Sequence, residues 1–467
     1  MLISFLANPW LYIPLAIIVV VALLIEYGIR RNVCSYFIAR KLLHIIAITC
    51  CAVAILHTTH TVYLGVLFLI GSIILSILLY YKVLATSNST SYGIALFPLA
   101  FFILLCFTSL PLQYIYYSVL TLAISDAAAG IVGYYYGRRT IIFLAEPKTM
   151  LGFFTFWVVT TGLYALVFPY THYSTYCIIG LVPALVELFS YKGSDNVTVP
   201  LCTALWLYIV QHINANVAAM YLLYTAVLVL LACIVYFKRW LTLSGTMAAL
   251  LTGILIIYMA GIIHLLPLAI FFVSGSLAAK LTAQLYVQGH RNAVQVYANG
   301  IVAICCISIY YLTGIQVYYI AYFASIAISF ADTMSSDIGK YYRQKTYDII
   351  HRTPVAVGLS GGISIAGTMA GVITALVYAG LVYAVFPISI VQAVIICVIG
   401  ILGMVTDSVL GSLLQAKYRN HYGSIVEEKN TYLVKGYSWC TNDVVNVMSN
   451  AITIVLYIII AITTGLL

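Results

Sequence analysis

The stretch from Gln316 to Gly339, QVYYIAYFASIAISFADTMSSDIG, decides the fold, because it is mostly apolar and long enough to cross a bilayer as one helix. Its two carboxylates, Asp332 and Asp337, stand together near one end. Similar apolar segments recur along all 467 residues, of which 64% are hydrophobic and only 7% are charged. A soluble domain carries about 25% charged residues. The sequence therefore predicts an all-α integral membrane protein.

The basic residues predict how the helices alternate across the membrane. We expect about 16 spans, with about eight in each half. All 21 Lys and Arg residues fall in or beside loops that follow odd-numbered spans. Because basic loops remain in the cytoplasm, this pattern predicts a multi-pass protein of the cell membrane with both termini outside. The net charge of +9 then favours contact with anionic lipid headgroups or nucleotide phosphates at the cytoplasmic face, and no nucleic acid is expected as a partner.

Two features near the end of the chain complete the predicted topology. The last three predicted spans are 358–385, 387–414 and 440–466. The polar stretch from Lys417 to Lys435 is predicted to be a loop.

The twelve acidic residues include several that lie at membrane depth, toward the basic face. Asp126, Asp332 and Asp407 fall inside predicted helices, and Glu187 falls near the inner end of one. An ionised side chain at the bilayer centre costs on the order of 2.5–3.5 kcal/mol on insertion scales, so several at one depth indicate a polar functional pocket. Pairing with arginine or capping of a helix is the alternative that the sequence leaves open.

Small residues surround these aspartates on the same helix faces. Asp126 is followed by glycine at four, seven and eleven positions, and Asp332 by Ser336 and Gly339. Close packing of helices explains such residues by itself. A carboxylate among glycines also leaves room for Mg²⁺, which prefers one or two carboxylates plus phosphate oxygens. The predicted metal ligands are Asp126, Asp332 and Asp337.

The two halves of the chain are weakly similar at their polar positions. The segment 125–135 parallels the segment 331–341, and Asp195-Asn196 parallels Asn442-Asp443. An even number of spans per half makes the repeats parallel. We therefore expect two parallel repeats, with domains at 1–215 and 216–467. Two active sites and two halves of one site both fit this pattern.

Five motifs in the first half occur in the order typical of a known family. They are Arg40-Lys41-Leu42-Leu43-His44, Ser91-Tyr92-Gly93 with Phe97-Pro98-Leu99, the segment 125–137, Lys148-Thr149-x-x-Gly152, and Glu187 with Asp195-Asn196-Val197-Thr198-Val199-Pro200. Through them, residues 1–215 resemble the phytol kinase and dolichol kinase family of CTP-dependent membrane lipid kinases. Phe153 departs from the family pattern, in which a small hydroxyl residue is expected.

Residues 216–467 resemble a second family, the domain of unknown function 92, which includes transmembrane protein 19 and plant phytyl-phosphate kinase. The matching stretches are Leu241 to Gly245, Arg291 to Val296 with Asn299, Ala331-Asp332-Thr333, Ser360-Gly361-Gly362, Thr406-Asp407-Ser408 and Asn442 to Asn446. Asp337 stands where Glu is expected, and Leu359 replaces a hydroxyl residue.

The two resemblances together imply an enzyme of isoprenoid metabolism. Plant enzymes of these families act consecutively, from alcohol to monophosphate and from monophosphate to diphosphate. The resemblance implies a phytol or geranylgeraniol type of polyprenol as substrate, CTP or another nucleoside triphosphate as donor, and Mg²⁺. A cytidylyltransferase that forms a CDP-lipid is one alternative, and a membrane transporter is another, because parallel repeats also occur in transporters.

The predicted site residues follow from what phosphoryl transfer needs, namely a metal, cations that hold phosphates, and an in-line nucleophile. The expected catalytic residues are Asp126, Lys148, Glu187, Asp195, Asp332 and Asp407. The expected residues for binding substrate and phosphate are His44, Arg138, Asn196, Arg291, Asn292, Ser360, Gly361, Asn442 and Asp443. The turn at Ser360-Gly361-Gly362 either offers backbone N–H groups to phosphate or simply starts a helix.

Overall fold

The structure of the protein is a computed structural model. Ser91 and Tyr92 of the Ser91-Tyr92-Gly93 motif lie outside the residues that it describes. Contacts divide the chain into two compact units, Met1–Met220 and Tyr221–Leu467. The described residues are 8–31, 36–58, 60–80, 93–107, 110–141, 147–168, 173–190, 193–212, 215–283, 291–420, 424–427 and 432–464.

The described chain is mostly helical, in agreement with its apolar composition. Nine of the described helices are long and apolar enough to cross a membrane: Leu112–Tyr136, Met150–Val167, Leu243–Ala260, Ile262–Lys280, Ala293–Thr313, Gln316–Tyr342, Ile365–Val385, Ile390–Leu413 and Asn442–Thr464. Shorter apolar helices accompany them.

The first unit contains nine helices among its described residues, and a tenth continues past its end. They are α1 (Pro9–Arg30), α2 (Tyr36–Leu56), α3 (Thr61–Tyr80), α4 (Gly93–Phe107), α5 (Leu112–Thr121), α6 (Ala127–Tyr136), α7 (Met150–Val167), α8 (Tyr173–Phe189), α9 (Asp195–Gln211) and α10 (Ala215–Phe237). A π-helical turn, Leu122–Asp126, joins α5 to α6. Helices α2, α7 and α9 pack against this turn, so the site of the first unit is built around it.

The helices of the second unit that follow α10 are α11 (Leu243–Ala260), α12 (Leu266–Ala283), α13 (Ala293–Thr313), α14 (Gln316–Tyr342), α15 (Ile365–Val385), α16 (Ile390–Leu413) and α17 (Asn442–Thr464). The unit packs around α14 as its central helix, because α12, α13, α15, α16 and α17 all contact it. Ala331, Ala375 and Met404 form a buried cluster where α14, α15 and α16 meet.

Two small antiparallel sheets correct the prediction of an all-α protein. Their strands are β1 (Thr346–Asp348), β2 (Pro354–Val355), β3 (Gly362–Ile363), β4 (Lys417–Arg419), β5 (Ile425–Val426) and β6 (Tyr432–Lys435). One sheet has the strand order β2-β1-β3 and the other β5-β4-β6. The segment predicted as a loop from Lys417 to Lys435 contains β4, β5 and β6.

The helix predicted at 358–385 begins later than expected, because its first residues form turns. Gly358 and Gly361 have positive φ angles, which favour turns over helix. Helix α15 starts only at Ile365, where the Ser364 hydroxyl caps it by accepting a hydrogen bond from the Gly367 N–H at 3.2 Å.

The junction between α6 and α7 in the first unit has a specific packing geometry. Thr149 caps α7 by accepting a hydrogen bond from the Gly152 N–H at 3.0 Å. Gly133, seven residues after Asp126, packs directly on this cap: a Cβ there would lie 2.8 Å from the Thr149 hydroxyl and 3.5 Å from the Gly152 Cα. The glycine therefore lets the cap of α7 approach the backbone of α6.

The junction between α14 and α15 in the second unit has the same local geometry. A Cβ on Gly339, seven residues after Asp332, would lie 3.3 Å from the capping hydroxyl of Ser364 and 3.5 Å from the Gly367 Cα. In each unit an aspartate, a glycine seven residues later and a capped helix start therefore occur in the same arrangement.

Candidate functional site

In the first unit, a lysine forms an ion pair with Asp126, the last residue of the π-helical turn. Lys41 Nζ donates a hydrogen bond to Asp126 Oδ2 at 2.8 Å, and His44 Nε2 lies 3.5 Å from the same oxygen. Both side chains of this ion pair are largely buried, at 14% and 12% exposure. A Cβ on Gly130 would lie 2.7 Å from Lys41 Cε, so the glycine makes room for the lysine stem.

A second ion pair lies in the same cluster. Lys148 Nζ donates to Glu187 Oε1 at 2.8 Å and also to the backbone carbonyl of Glu187. Asp195, in the first turn of α9, is within electrostatic range of Asp126, Lys148 and Glu187. The Asn196 Oδ1 atom is buried and has no hydrogen-bond partner among the described residues.

The first unit thus brings together five of the residues predicted for it, namely His44, Asp126, Lys148, Glu187 and Asp195. Asn196 follows Asp195 in the first turn of α9. Arg138 is the exception, because it is exposed beyond the end of α6. Lys41 was not predicted as a site residue. Its place one helical turn before His44 in the same basic motif was the signal that could have identified it.

The second unit encloses a polar cavity of about 350 Å³ beside α14. Five carboxylates and two cations line it, together with amide and hydroxyl side chains and several glycines. The charged lining residues are Asp332, Asp337, Asp407, Glu427, Asp443, Arg291 and Lys340, and the amides are Gln295, Asn299, Asn442 and Asn446. A cavity with this lining can bind a phosphorylated ligand together with a cation.

Helix α17 holds the Asp407 carboxylate in place. Ser449 Oγ donates to Asp407 Oδ2 at 3.0 Å. With its amide oriented to satisfy its neighbours, Asn446 donates to the same oxygen at 3.2 Å. Two neutral donors on one oxygen orient the carboxylate without neutralising it.

Asp126 and Glu187 of the first unit each pair with a lysine, and in this respect Asp332 and Asp407 differ from them. Among the described residues, neither makes an ion pair with Lys or Arg. Asp332 is within electrostatic range of Asp407, Asp337 and Lys340. No group of three or more His, Cys, Asp or Glu side chains in the described chain forms a metal cage. Two carboxylates beside a cavity that also holds cations are the kind of ligand set that Mg²⁺ takes together with phosphate oxygens.

The turn at Ser360-Gly361-Gly362 lines the cavity, but its N–H groups are partly engaged. The Ser360 N–H donates to Glu427 Oε1, and the Gly362 N–H donates to the Leu359 carbonyl at 3.0 Å. Gly361 adopts a φ of +80°, and a Cβ there would lie 2.6 Å from the Ser412 backbone. Only glycine fits this position.

Asp348, which was not predicted as a site residue, bonds to the end of α16 beside this turn. Asp348 accepts hydrogen bonds from the Ile350 and His351 N–H groups at 3.0 and 2.8 Å, and from Ser412 Oγ at 2.8 Å. Burial by itself raises the pKa of Asp348. The bonds donated by His351, Ser412 and Ile350 outweigh burial and hold this pKa well below its ordinary value.

The low pKa of Asp348 predicts acid sensitivity of the second unit. A group whose pKa is lowered by folding stabilises the fold above its ordinary pKa, near 4, and this stabilisation is lost as the pH falls below that value. At neutral pH, Asp348→Asn should lower the free energy of unfolding by about 1–3 kcal/mol. Between about pH 7 and pH 3, the unmodified protein should lose more stability than the variant, as measured by unfolding in mixed micelles. Equal losses in both proteins would contradict the assignment.

Of the remaining residues predicted for the site of the second unit, all but Asn292 line the cavity. Arg291, Ser360, Gly361, Asn442 and Asp443 line the cavity together with the three aspartates. Asn292 does not: its side chain accepts from the Gln295 N–H at 3.1 Å, and the Gln295 side chain accepts from the Asn292 N–H at 3.2 Å. This reciprocal cap begins α13 and engages the amide that was expected to bind substrate.

Comparison with known proteins gives one family and several relatives. The family described as integral membrane protein DUF92 matches residues 226–454. Uncharacterized membrane protein MJ0933 of Methanocaldococcus jannaschii is 30% identical over 204 residues, which are 42% of this chain and 84% of that protein. Protein VTE6, chloroplastic, of Arabidopsis thaliana is 28% identical over 222 residues, or 45% of this chain and 62% of that protein.

A third relative matches a smaller share of the chain. Uncharacterized membrane protein sll0875 of Synechocystis is 32% identical over 114 residues, or 24% of this chain and 44% of that protein. No solved structure matches the chain.

Proposed function

The chain belongs to the integral membrane protein family DUF92, and from this membership and the geometry of the cavity we propose that it is a membrane phosphotransferase acting on a prenyl phosphate. The single observation that carries the proposal is the pair Asp332 and Asp407. The two carboxylates line one cavity with Arg291 and Lys340 and make no ion pair among the described residues. Carboxylates that can take a metal, next to cations that can take phosphates, are what phosphoryl transfer requires.

In this proposal the second unit converts a prenyl monophosphate into the diphosphate. Arg291 and Lys340 bind the phosphates and offset their charge, and Arg291 is held for this by a hydrogen bond to the Gly275 carbonyl at 3.3 Å. Asp332 and Asp407 would hold Mg²⁺, which when bound would supply positive charge beside the donor phosphates. An oxygen of the lipid phosphate forms a bond to the terminal phosphorus of the donor, and the bond to the departing nucleoside diphosphate breaks. Because the second pKa of a phosphate monoester is about 6, the attacking oxygen needs no strong base.

The first unit would form the monophosphate from the alcohol. Here Lys148 and Lys41 bind phosphate, His44 orients it, and Glu187 or Asp195 accepts the proton of the prenol hydroxyl. Asp126, which pairs with Lys41, is the residue that would hold a metal in this unit. The resemblance of this half to phytol and dolichol kinases supports this role, together with CTP as the donor.

Two parallel repeats of about eight spans would accommodate both reactions. The matching arrangement of aspartate, glycine and capped helix in the two units supports an origin by duplication. The basic loops support a cytoplasmic position for both sites, where a nucleotide from the cytosol and a lipid headgroup can meet.

A two-label assay tests the proposal. Purified protein in lipid nanodiscs receives geranylgeraniol or geranylgeranyl monophosphate together with Mg²⁺ and CTP labelled at either the γ or the α phosphate. We expect label from γ in the lipid, first in the monophosphate and then in the diphosphate, and release of CDP. Label from α in the lipid would support the cytidylyltransferase alternative. Flux of a prenyl phosphate across proteoliposomes without nucleotide would support the transporter.

A further inference from the structure

The turn at Ser360 presents a backbone N–H group to the cavity from a rigid support. Gly361 packs against Ser412, whose hydroxyl bonds to Asp348, and the Ile349 N–H donates to the Gly361 carbonyl at 2.9 Å. These contacts fix the direction of the Ser360 N–H before any ligand binds. Backbone N–H groups at such turns are common anion sites in proteins.

Glu427 already provides an anion at this position. Its Oε1 accepts the Ser360 N–H, and the residue lines the same cavity as Asp332 and Asp407. Glu427 is also within electrostatic range of Asp407, so the like charges repel. A carboxylate held in an already acidic cavity is replaced at low cost by an anion that brings its own metal ion.

Lys417 supports the turn from behind. Its side chain is only 4% exposed, and Nζ donates to the Ser360 carbonyl at 2.8 Å. Burial and the charge of Lys435 lower the pKa of Lys417, while Asp348 and Glu427 raise it. Lys417 does not line the cavity, so it acts as a positioning residue: it holds the peptide that follows the Ser360 N–H and adds positive charge behind the turn.

We propose that the Ser360 N–H is a binding position for a phosphate group, which Glu427 occupies until a phosphorylated ligand displaces it. This inference rests on the proposed phosphotransferase function. A phosphate monoester competes well with a carboxylate here, because it carries a charge of about −1.5 to −2 at neutral pH and three acceptor oxygens. A lipid head group and a free phosphate share this chemistry.

The test measures binding without nucleotide, on the full-length protein in nanodiscs with Mg²⁺. The two probes are inorganic phosphate and geranylgeranyl monophosphate. If Glu427 fills the position about nine-tenths of the time, Glu427→Ala should tighten binding about tenfold, because it leaves no acceptor at the Ser360 N–H and apparent affinity scales with the competent fraction. Lys417→Met should weaken binding instead. Glu427→Asp keeps the charge but shortens the side chain by one methylene, so its affinity should fall between the unmodified protein and Glu427→Ala.

The outcomes separate this inference from the proposed function. Tighter binding of the lipid probe alone assigns the position to the head group, and tighter binding of both probes assigns it to phosphate from either source. Weaker or unchanged binding in Glu427→Ala, with an unchanged melting temperature, overturns the inference. Tighter binding in a protein that transfers no phosphate from CTP would retain the phosphate position and reject the phosphotransferase.

Discussion

Replacement of Asp332 by Asn should lower kcat for formation of prenyl diphosphate by on the order of 100- to 1000-fold, because the amide has the same shape but no charge with which to hold Mg²⁺. Asp332 lines the cavity and makes no ion pair among the described residues, so a metal would not have to displace a Lys or Arg from it. The measurement is initial rate with geranylgeranyl monophosphate and γ-labelled CTP across a range of Mg²⁺ concentrations.

Asp126→Asn is the matched control for this experiment. Asp126 precedes a glycine by seven residues in the first unit, as Asp332 does in the second. It should impair phosphorylation of geranylgeraniol and leave the conversion of added monophosphate intact. Loss of both steps in either variant would favour one composite site. Asp332→Asn with more than about a tenth of normal activity at saturating Mg²⁺ would reject Asp332 as a metal ligand.

Replacement of Lys41 by Met should lower the free energy of unfolding of the first unit by about 3 kcal/mol. Removing one partner of a buried ion pair costs about 3–5 kcal/mol, since the other charge is left without compensation. The lower end applies because the two side chains keep 14% and 12% exposure. Methionine is unbranched, as lysine is, so it should fit the space that Gly130 leaves.

A double variant removes both charges of the Lys41–Asp126 pair. Replacing both partners of a buried ion pair by apolar residues is often neutral or stabilising. The double variant Lys41→Met, Asp126→Leu should therefore recover most of the stability lost by Lys41→Met. Denaturation in mixed micelles measures the four proteins of the cycle. Strictly additive effects would show that the Lys41–Asp126 contact contributes no coupling energy.

The helices could be predicted from the sequence because long apolar runs have few other stable forms in a bilayer. The predicted spans at 293–313 and 316–339 correspond to α13 (Ala293–Thr313) and α14 (Gln316–Tyr342). The carboxylates could be predicted for the same physical reason: an acid at membrane depth is costly and so indicates a site. Asp332 and Asp407 were found in this way and line one cavity.

The remaining features depend on contacts between distant parts of the chain. The Ser360 N–H meets Glu427, and Asp348 meets Ser412, across 67 and 64 residues. No local pattern reports such pairs, and the short strands of the two sheets are too brief to show an alternation. Asn292 is a different case. The spacing Asn292-x-x-Gln295 is a recognised start of a helix, so its role as a cap was readable from the sequence.

The π-helical turn from Leu122 to Asp126 can absorb a change in chain length. Such a turn holds one residue more than an α-helical turn, as an insertion into a regular helix would produce. Loss of a single residue such as Ile124 would restore a regular helix and leave α5 and α6 in nearly the same rotational phase. Asp126 would then keep its direction toward Lys41, whereas the same loss from a regular helix would rotate every later side chain by about 100°. In this part of the protein, one residue can therefore be gained or lost while the side chains with a role in the chemistry keep their places.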